Sequence, residues 1–252
     1  MLIQLLIICP LVFLAGFVDA IAGGGGIISL PAFLIAGLPA HAALGTNKLS
    51  STIGTTASTF RYLKHGYLKG HGKLAAIAVV CALIGSSIGS NLALMIPDYI
   101  ITKTMLVVLP VVAVFVLWDK KLGEDTGKPQ MQGGKLLLVA SLAALLVGCY
   151  DGLYGPGTGT FLLLILTGIA GLRMRQASAV TKVINLTSNV AALTVFIING
   201  TPVYALGIPA ALFCMAGHFV GSGLVLANGT KIVRPIIICV LAALFVKVLT
   251  GF

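Results

Sequence analysis

Charge is scarce in this sequence, and acidic charge scarcest: of 252 residues, 16 are Lys or Arg and only six are Asp or Glu, 9% in all. A soluble domain of this size carries about 25% charged residues. With 58% hydrophobic residues and a mean hydropathy of +1.10, burial in one globular core does not account for the composition, and a bilayer does. Strict apolar–polar alternation is missing too. Runs such as Leu136 to Cys149 and Ile236 to Val246 are continuous, which excludes a β-barrel and leaves helices. The five cysteines (Cys9, Cys81, Cys149, Cys214, Cys239) sit singly in apolar runs, without CxxC spacing, so neither a disulfide framework nor a zinc site is expected. No G-x-x-x-x-G-K-[ST] motif appears, which argues against ATP hydrolysis within this chain. The N-terminal apolar run has no basic flank and is read as a retained helix rather than a signal peptide.

What is present is a net charge of +10, carried by residues in connecting segments. In a soluble chain that excess would suggest nucleic acid. Here it fits the basic bias of cytoplasmic loops, and no nucleic-acid partner is expected.

Apolar segments fall at 3–22, 27–37, 43–62, 74–95, 102–118, 136–153, 159–170, 177–198, 203–226 and 232–250. Most suit a span of roughly 20 residues. Ile27–Gly37 and Gly159–Gly171 are too short to cross, and each follows a glycine cluster: Gly23, Gly24, Gly25 and Gly26 in one case, Gly155-Pro156-Gly157-Thr158-Gly159 in the other. The polar stretch Asp119 to Lys135 reads as a linker between halves 1–118 and 136–252.

The halves repeat. At a spacing of 132, Gly16, Asp19, Gly23 and Gly25 match Gly148, Asp151, Gly155 and Gly157. At 134, Gly37, Lys48 and Gly66 match Gly171, Lys182 and Gly200; the spacing then returns to 132 for Gly85, Gly89 and Ser90 against Gly217, Gly221 and Ser222. The loop with Arg61, Lys64, Lys69 and Lys73 is expected in the cytoplasm, as are Arg173, Arg175, Lys231 and Arg234, whereas the counterpart loops are neutral. These assignments agree if each half is one glycine-broken hairpin plus three spanning helices. The predicted fold is therefore an all-α polytopic membrane protein of two inverted repeats, both termini outside the cytoplasm.

Two aspartates and two lysines are embedded in apolar segments: Asp19, Asp151, Lys48 and Lys182. Such charges cost at least about 2.5–3.5 kcal/mol each at membrane depth, so they need partners or a function. One reading has the lysines attract an anion while the aspartates carry protons or pair with the lysines. Another has two Asp–Lys bridges stapling each hairpin to the neighbouring helix, and a third has the lysines snorkelling to the surface. A helix broken at membrane depth also presents its N-terminus to anions, and glycine allows close backbone approach there. Tight helix packing is the competing explanation for glycine, preferred for Gly85, Gly89, Gly217 and Gly221. Asn47, Ser51 and Thr55 share a helix face, as do Lys182, Asn185 and Asn189. Asn47, Lys48, Lys182 and Asn185 are expected to line a path, most of the serines and threonines to bond between helices. His218 is embedded but alone, weak evidence for a proton relay.

The segment AGFVDAIAGGGGIISLPAFLIAGLPAHAALGTNKLSS resembles the signature of the TauE/SafE family of membrane transporters, and Gly148 to Gly159 its companion motif. The resemblance spans essentially the whole chain. It implies an inner-membrane protein that exports sulfite, sulfoacetate or other organosulfur anions. It carries over Asp19, Gly23 to Gly26, Asn47, Lys48, Asp151, Gly155 to Gly159 and Lys182 as functional positions. Together with the residues, it leads to a proton- or potential-driven anion carrier without cofactor, metal or catalytic residues. Its anion site would comprise the glycine clusters, Thr158, Asn47, Lys48, Lys182 and Asn185. A passive anion channel and a non-transporting membrane subunit are the alternatives, and self-association is left open.

Overall fold

A computed structural model describes residues 1–118 and 129–228. Linker residues 119–128 and the last apolar segment, 232–250, with Lys231 before it and Arg234 and Cys239 within it, lie outside the described residues.

Among the described residues the chain is helical and contains no strand. The elements are α1 (Leu2–Ala22), α2 (Gly26–Ile35), α3 (Ala40–Lys64), α4 (Gly72–Met95), α5 (Asp98–Trp118), α6 (Gly133–Leu153), α7 (Thr158–Leu164), α8 (Met174–Ile198) and α9 (Tyr204–Asn228). A π-helical turn, Ile165–Ile169, extends α7. Among the described residues, five helices, α1, α4, α6, α8 and α9, are long and apolar enough to cross a bilayer. At 25 residues α3 is as long as α8, but its run of Thr, Ser, Asn and Lys lowers its hydropathy.

The two short segments form as the glycine clusters require. The first helix stops where Gly23 turns left-handed at φ 76°, its N–H bonded to the Asp19 carbonyl. A side chain is disfavoured there by both conformation and space. A Cβ on Gly23 would meet the Thr160 nitrogen at 2.8 Å and the Gly159 backbone closer still. The tips of the two broken hairpins thus touch, backbone to backbone. Helix α2 has 10 residues, about 15 Å of rise, half the length needed to cross.

Packing between the halves is reciprocal. The first helix of one half, α1, lies on α9 of the other, while α6 lies on α4. Likewise α3 packs on α9 and α8 on α4, with α3 and α8 meeting between them. Small residues allow this closeness, as read from the sequence. The site of a Cβ on Gly217 is 2.8 Å from the Phe17 nitrogen, and that on Gly89 is 3.0 Å from the Leu153 nitrogen, with carbonyls nearer in both cases. A helix backbone cannot yield as a side-chain tip does. Gly89→Val is expected to destabilise the protein by about 1–3 kcal/mol, overpacking the α4–α6 seam. Thermal unfolding in detergent checks this; an unchanged midpoint would contradict the packing described.

The basic loops gather at one end. There the Met131 N–H donates to the Ala170 carbonyl at 3.0 Å, Gln130 meets His71 at 3.1 Å, and the Arg175 guanidinium sits 5.8 Å from the Tyr67 ring. Arg61, Lys64, Lys69, Lys73 and Arg173 belong to the same end through α3, α4 and α8. The opposite end holds the chain start: the Gln4 amide donates to the Ala36 carbonyl at 2.9 Å, and His41 pairs with Asp98 at 2.8 Å.

Candidate functional site

Where the hairpin tips meet α3 and α8, a polar cavity opens. It encloses about 410 Å³ of space counted out to its open side, but the part free for a solute is narrow, on the scale of water. Each hairpin contributes one aspartate, set where its helix runs into the glycine break. Each following helix carries one buried lysine about a third of the way along, Lys48 in α3 and Lys182 in α8.

The pairing crosses between the halves. Lys48 Nζ lies 2.6 Å from Asp151 Oδ2 and donates to Asn189 Oδ1 at 2.9 Å. Lys182 Nζ lies 3.2 Å from Asp19 Oδ2 and also donates to the Asp19 carbonyl. Bridges from each hairpin to its own neighbouring helix, Asp19 with Lys48 and Asp151 with Lys182, therefore do not form. The reason is the packing: α3 and α8 meet between the halves, so each lysine faces the other half's aspartate. Snorkelling is excluded as well, because the side chains of Lys48 and Lys182 are 2% and 4% exposed, far below what a surface ammonium shows.

The half-helix N-termini already face carboxylates. The Gly25 N–H donates to Asp19 Oδ1 at 3.4 Å, and the Thr158 hydroxyl donates to Asp151 Oδ1 at 2.8 Å. The polar groups at the starts of α2 and α7 are thus engaged by the aspartates, rather than being free for a solute alone. The two lysines and two aspartates cancel in formal charge.

Of the residues expected from the sequence, Asp19, Gly23, Gly25, Gly26 and Asn47 line the cavity from the first half. Lys48 belongs to the same wall, and Asp151, Gly155, Thr158 and Asn185 line it from the second half. Gly24, Gly157, Gly159 and Lys182 do not line it. Gly159 packs on Gly23, Gly157 lies against Val112, and Gly24 lies 3.7 Å from the Thr160 hydroxyl. Lys182 stands behind Asp19. Ser51 and Thr55 do line the cavity, as their shared face with Asn47 requires, although most hydroxyls on these helices bond within their own turn. The residue that sequence reasoning undervalued is His218, which also lines the cavity, 3.4 Å from Asp19 Oδ2. Its signal was the repeat itself: the equivalent position in the first half is Ser86.

Two residues lining this space carry buried side-chain oxygens with no protein partner, Asn47 Oδ1 and Thr55 Oγ1. Buried polar groups are rarely left so, and those at a cavity wall are where a solute or water bonds.

Helices that cross, two that break halfway, and buried charges around a cavity between two halves define a polytopic membrane transporter. The chain belongs to the sulfite exporter TauE/SafE family, which it matches over residues 8–248. It is 35% identical over 238 residues to the probable membrane transporter protein ORF9 of Sinorhizobium sp, covering 94% of this chain and 89% of that one. It is 33% identical over 236 residues to the probable membrane transporter protein YfcA of Escherichia coli K12, covering 94% and 86%. A probable membrane transporter protein of Haemophilus influenzae is 32% identical over 228 residues, covering 90% and 87%. No solved structure matches the chain significantly.

Proposed function

We propose that this protein is a secondary carrier that exports sulfite, sulfoacetate or related organosulfur anions, driven by protons or the membrane potential. In this reading residues 1–118 and 136–252 are inverted repeats joined by the linker 119–135. The protein sits in the inner membrane with both termini outside the cytoplasm, the basic loop end facing inward. The observation that carries the reading is the convergence of both broken hairpins on one cavity whose wall keeps unpartnered polar atoms.

Each residue has a part. Lys48 supplies positive potential at the cavity wall, and Lys182 does so from behind Asp19. Asn47, Asn185 and Thr158 offer hydrogen bonds. An amide has both donor and acceptor, so Asn47 meets an oxyanion oxygen with Nδ2 or the O–H of a protonated anion with Oδ1. Gly23 to Gly26 and Gly155 to Gly159 let the hairpin tips approach each other and the cargo without side chains between. Asp19 and Asp151 hold the lysines, as ion-pair partners or as sites of proton coupling. The narrow free space suits a small inorganic anion, and a longer sulfonate requires the halves to part.

The substrate is tested by efflux from proteoliposomes loaded in parallel with sulfite, sulfoacetate, acetate or chloride. Saturable efflux of sulfite, or of sulfoacetate, well above that of chloride is expected. Efflux that fails to distinguish the four anions would remove the organosulfur assignment.

A further inference from the structure

The repeat equivalence breaks beside the aspartates, and one of the exchanges brings an imidazole to Asp19 alone. At the repeat spacing of 134, Gly54 corresponds to Ser188; at 132, Ser86 corresponds to His218. Around Asp151 the pair is two hydroxyls, around Asp19 a glycine facing an imidazole. The Ser188 hydroxyl donates to Asp151 Oδ2 at 2.7 Å, and the Ser86 hydroxyl donates to the Ser188 carbonyl at 2.6 Å. Around Asp19, Gly54 leaves the room that His218 fills, since a Cβ there would come within 2.7 Å of the imidazole Cδ2. The ring thereby reaches Asp19, Nε2 lying 3.4 Å from Oδ2, while Nδ1 lies 2.9 Å from the Ser58 hydroxyl.

The carboxylates differ accordingly. Asp151 is gripped by Lys48 at 2.6 Å, Ser188 at 2.7 Å and Thr158 at 2.8 Å. The side chain of Asp19 has longer contacts, Lys182 at 3.2 Å, the Gly25 N–H at 3.4 Å and His218 at 3.4 Å, and one of these partners is an imidazole. The groups facing His218 are Asp19 from α1, Lys182 behind it from α8, and the hydroxyl of Ser58 from α3. Arg61 on α3 is occupied further along α9, donating to Ser222 and the Phe219 carbonyl, and Cys214 lies one turn back on α9 itself.

The four embedded charges already cancel, so a monovalent anion entering the cavity leaves one uncompensated buried charge, which is costly. A proton on the imidazole removes it. We propose that His218 is the proton-binding residue of the carrier, and that it takes up one proton with each monovalent anion, so that both cross in the same direction. This rests on the carrier reading above. The Asp151–Lys48 branch is then a fixed staple, and the Asp19–His218 branch is the one that titrates. Co-movement makes the cycle electroneutral, so the membrane potential drops out, and export is driven by the outward anion gradient against any inward proton gradient.

The test uses purified full-length protein in proteoliposomes holding a pH-reporting dye, with labelled sulfite at a pH where its singly charged form dominates. Wild type should move one proton with each anion. His218→Gln should lower accumulation driven by a pH gradient by on the order of tenfold. Anion self-exchange, which needs no net proton movement, should fall less. A second variant, Gly54→Ser with His218→Ser and Cys214→Ala, installs the residues found at the repeat-equivalent positions, Ser188, Ser86 and Ala82. It removes the Cys214 sulfur, which lies 2.5 Å from a Cβ on Gly54, and should fold and show the same uncoupling. Full pH-driven accumulation in both variants, or protons moving opposite to the anion in wild type, would overturn the proposal while leaving the carrier reading intact. Absence of self-exchange for every anion in wild type would instead overturn the carrier reading, and this proposal with it.

Discussion

Lys48→Ala is expected to destabilise the folded protein by about 3–5 kcal/mol, because it leaves the Asp151 carboxylate buried without its counter-charge. The Asp151 side chain is 3% exposed, so water cannot take the place of the ammonium. The same mutation orphans Asn189 Oδ1, which accepts from Lys48 at 2.9 Å. Adding Asp151→Ala should recover a large part of the lost stability, since removing both partners abolishes the unpaired charge. Adding Asp19→Ala in place of Asp151→Ala should not, because Asp19 pairs with Lys182. A double-mutant cycle read by thermal unfolding in detergent separates the cases. Strong coupling of Lys48 to Asp19, and none to Asp151, would refute the crossed pairing.

Asn47→Leu should behave in the opposite sense, leaving the fold intact and removing transport. Asn47 is 4% exposed, and its Oδ1 has no protein partner. Replacing an unsatisfied buried polar group by an apolar one of similar volume is nearly neutral or stabilising. If the amide instead bonds the cargo, transport loses a hydrogen bond to a charged group, about 1.5–3 kcal/mol, or roughly 10–100-fold in flux at low substrate. Melting midpoint and initial flux measured on the same preparation test this. Wild-type flux in the variant would show that the amide plays no part in transport. Thr55→Val probes the second unpartnered atom in the same way, with a smaller expected loss because a hydroxyl bonds a neighbouring carbonyl more readily.

Much of this arrangement was legible because it rests on local rules. Four consecutive glycines cannot continue a membrane helix without a neighbour's help, and the 10 residues that follow cannot cross, so a broken hairpin was readable at Gly23 to Gly26. Asn47, Ser51 and Thr55 lie four residues apart, and helix geometry alone puts them on one face. The glycines of α4 and α9 recur four apart, and all four pack against a backbone as expected.

Partnership across the halves was not legible. The repeat spacing relates Asp19 to Asp151 and Lys48 to Lys182, but equivalence is silent on which aspartate a lysine meets. That follows from α3 and α8 crossing between the halves, a property of the assembled bundle. For the same reason Gly157 and Gly159 read as cavity residues, whereas Gly159 is consumed in the contact between hairpin tips. The value of His218 lay in a difference between repeats rather than in a match. Searching an alignment of the halves for agreement passes over the position at which a serine in one is an imidazole in the other.

The most direct measurement is counterflow of labelled sulfite in proteoliposomes preloaded with unlabelled sulfite. A carrier that exposes one cavity alternately to the two sides binds the excess internal anion and returns with the label. Labelled sulfite should therefore rise transiently above its external concentration, saturate with substrate, and lose the overshoot in Asn47→Leu. A monotonic approach to equilibrium with no overshoot, at a rate proportional to concentration, would contradict the carrier and leave a passive pore.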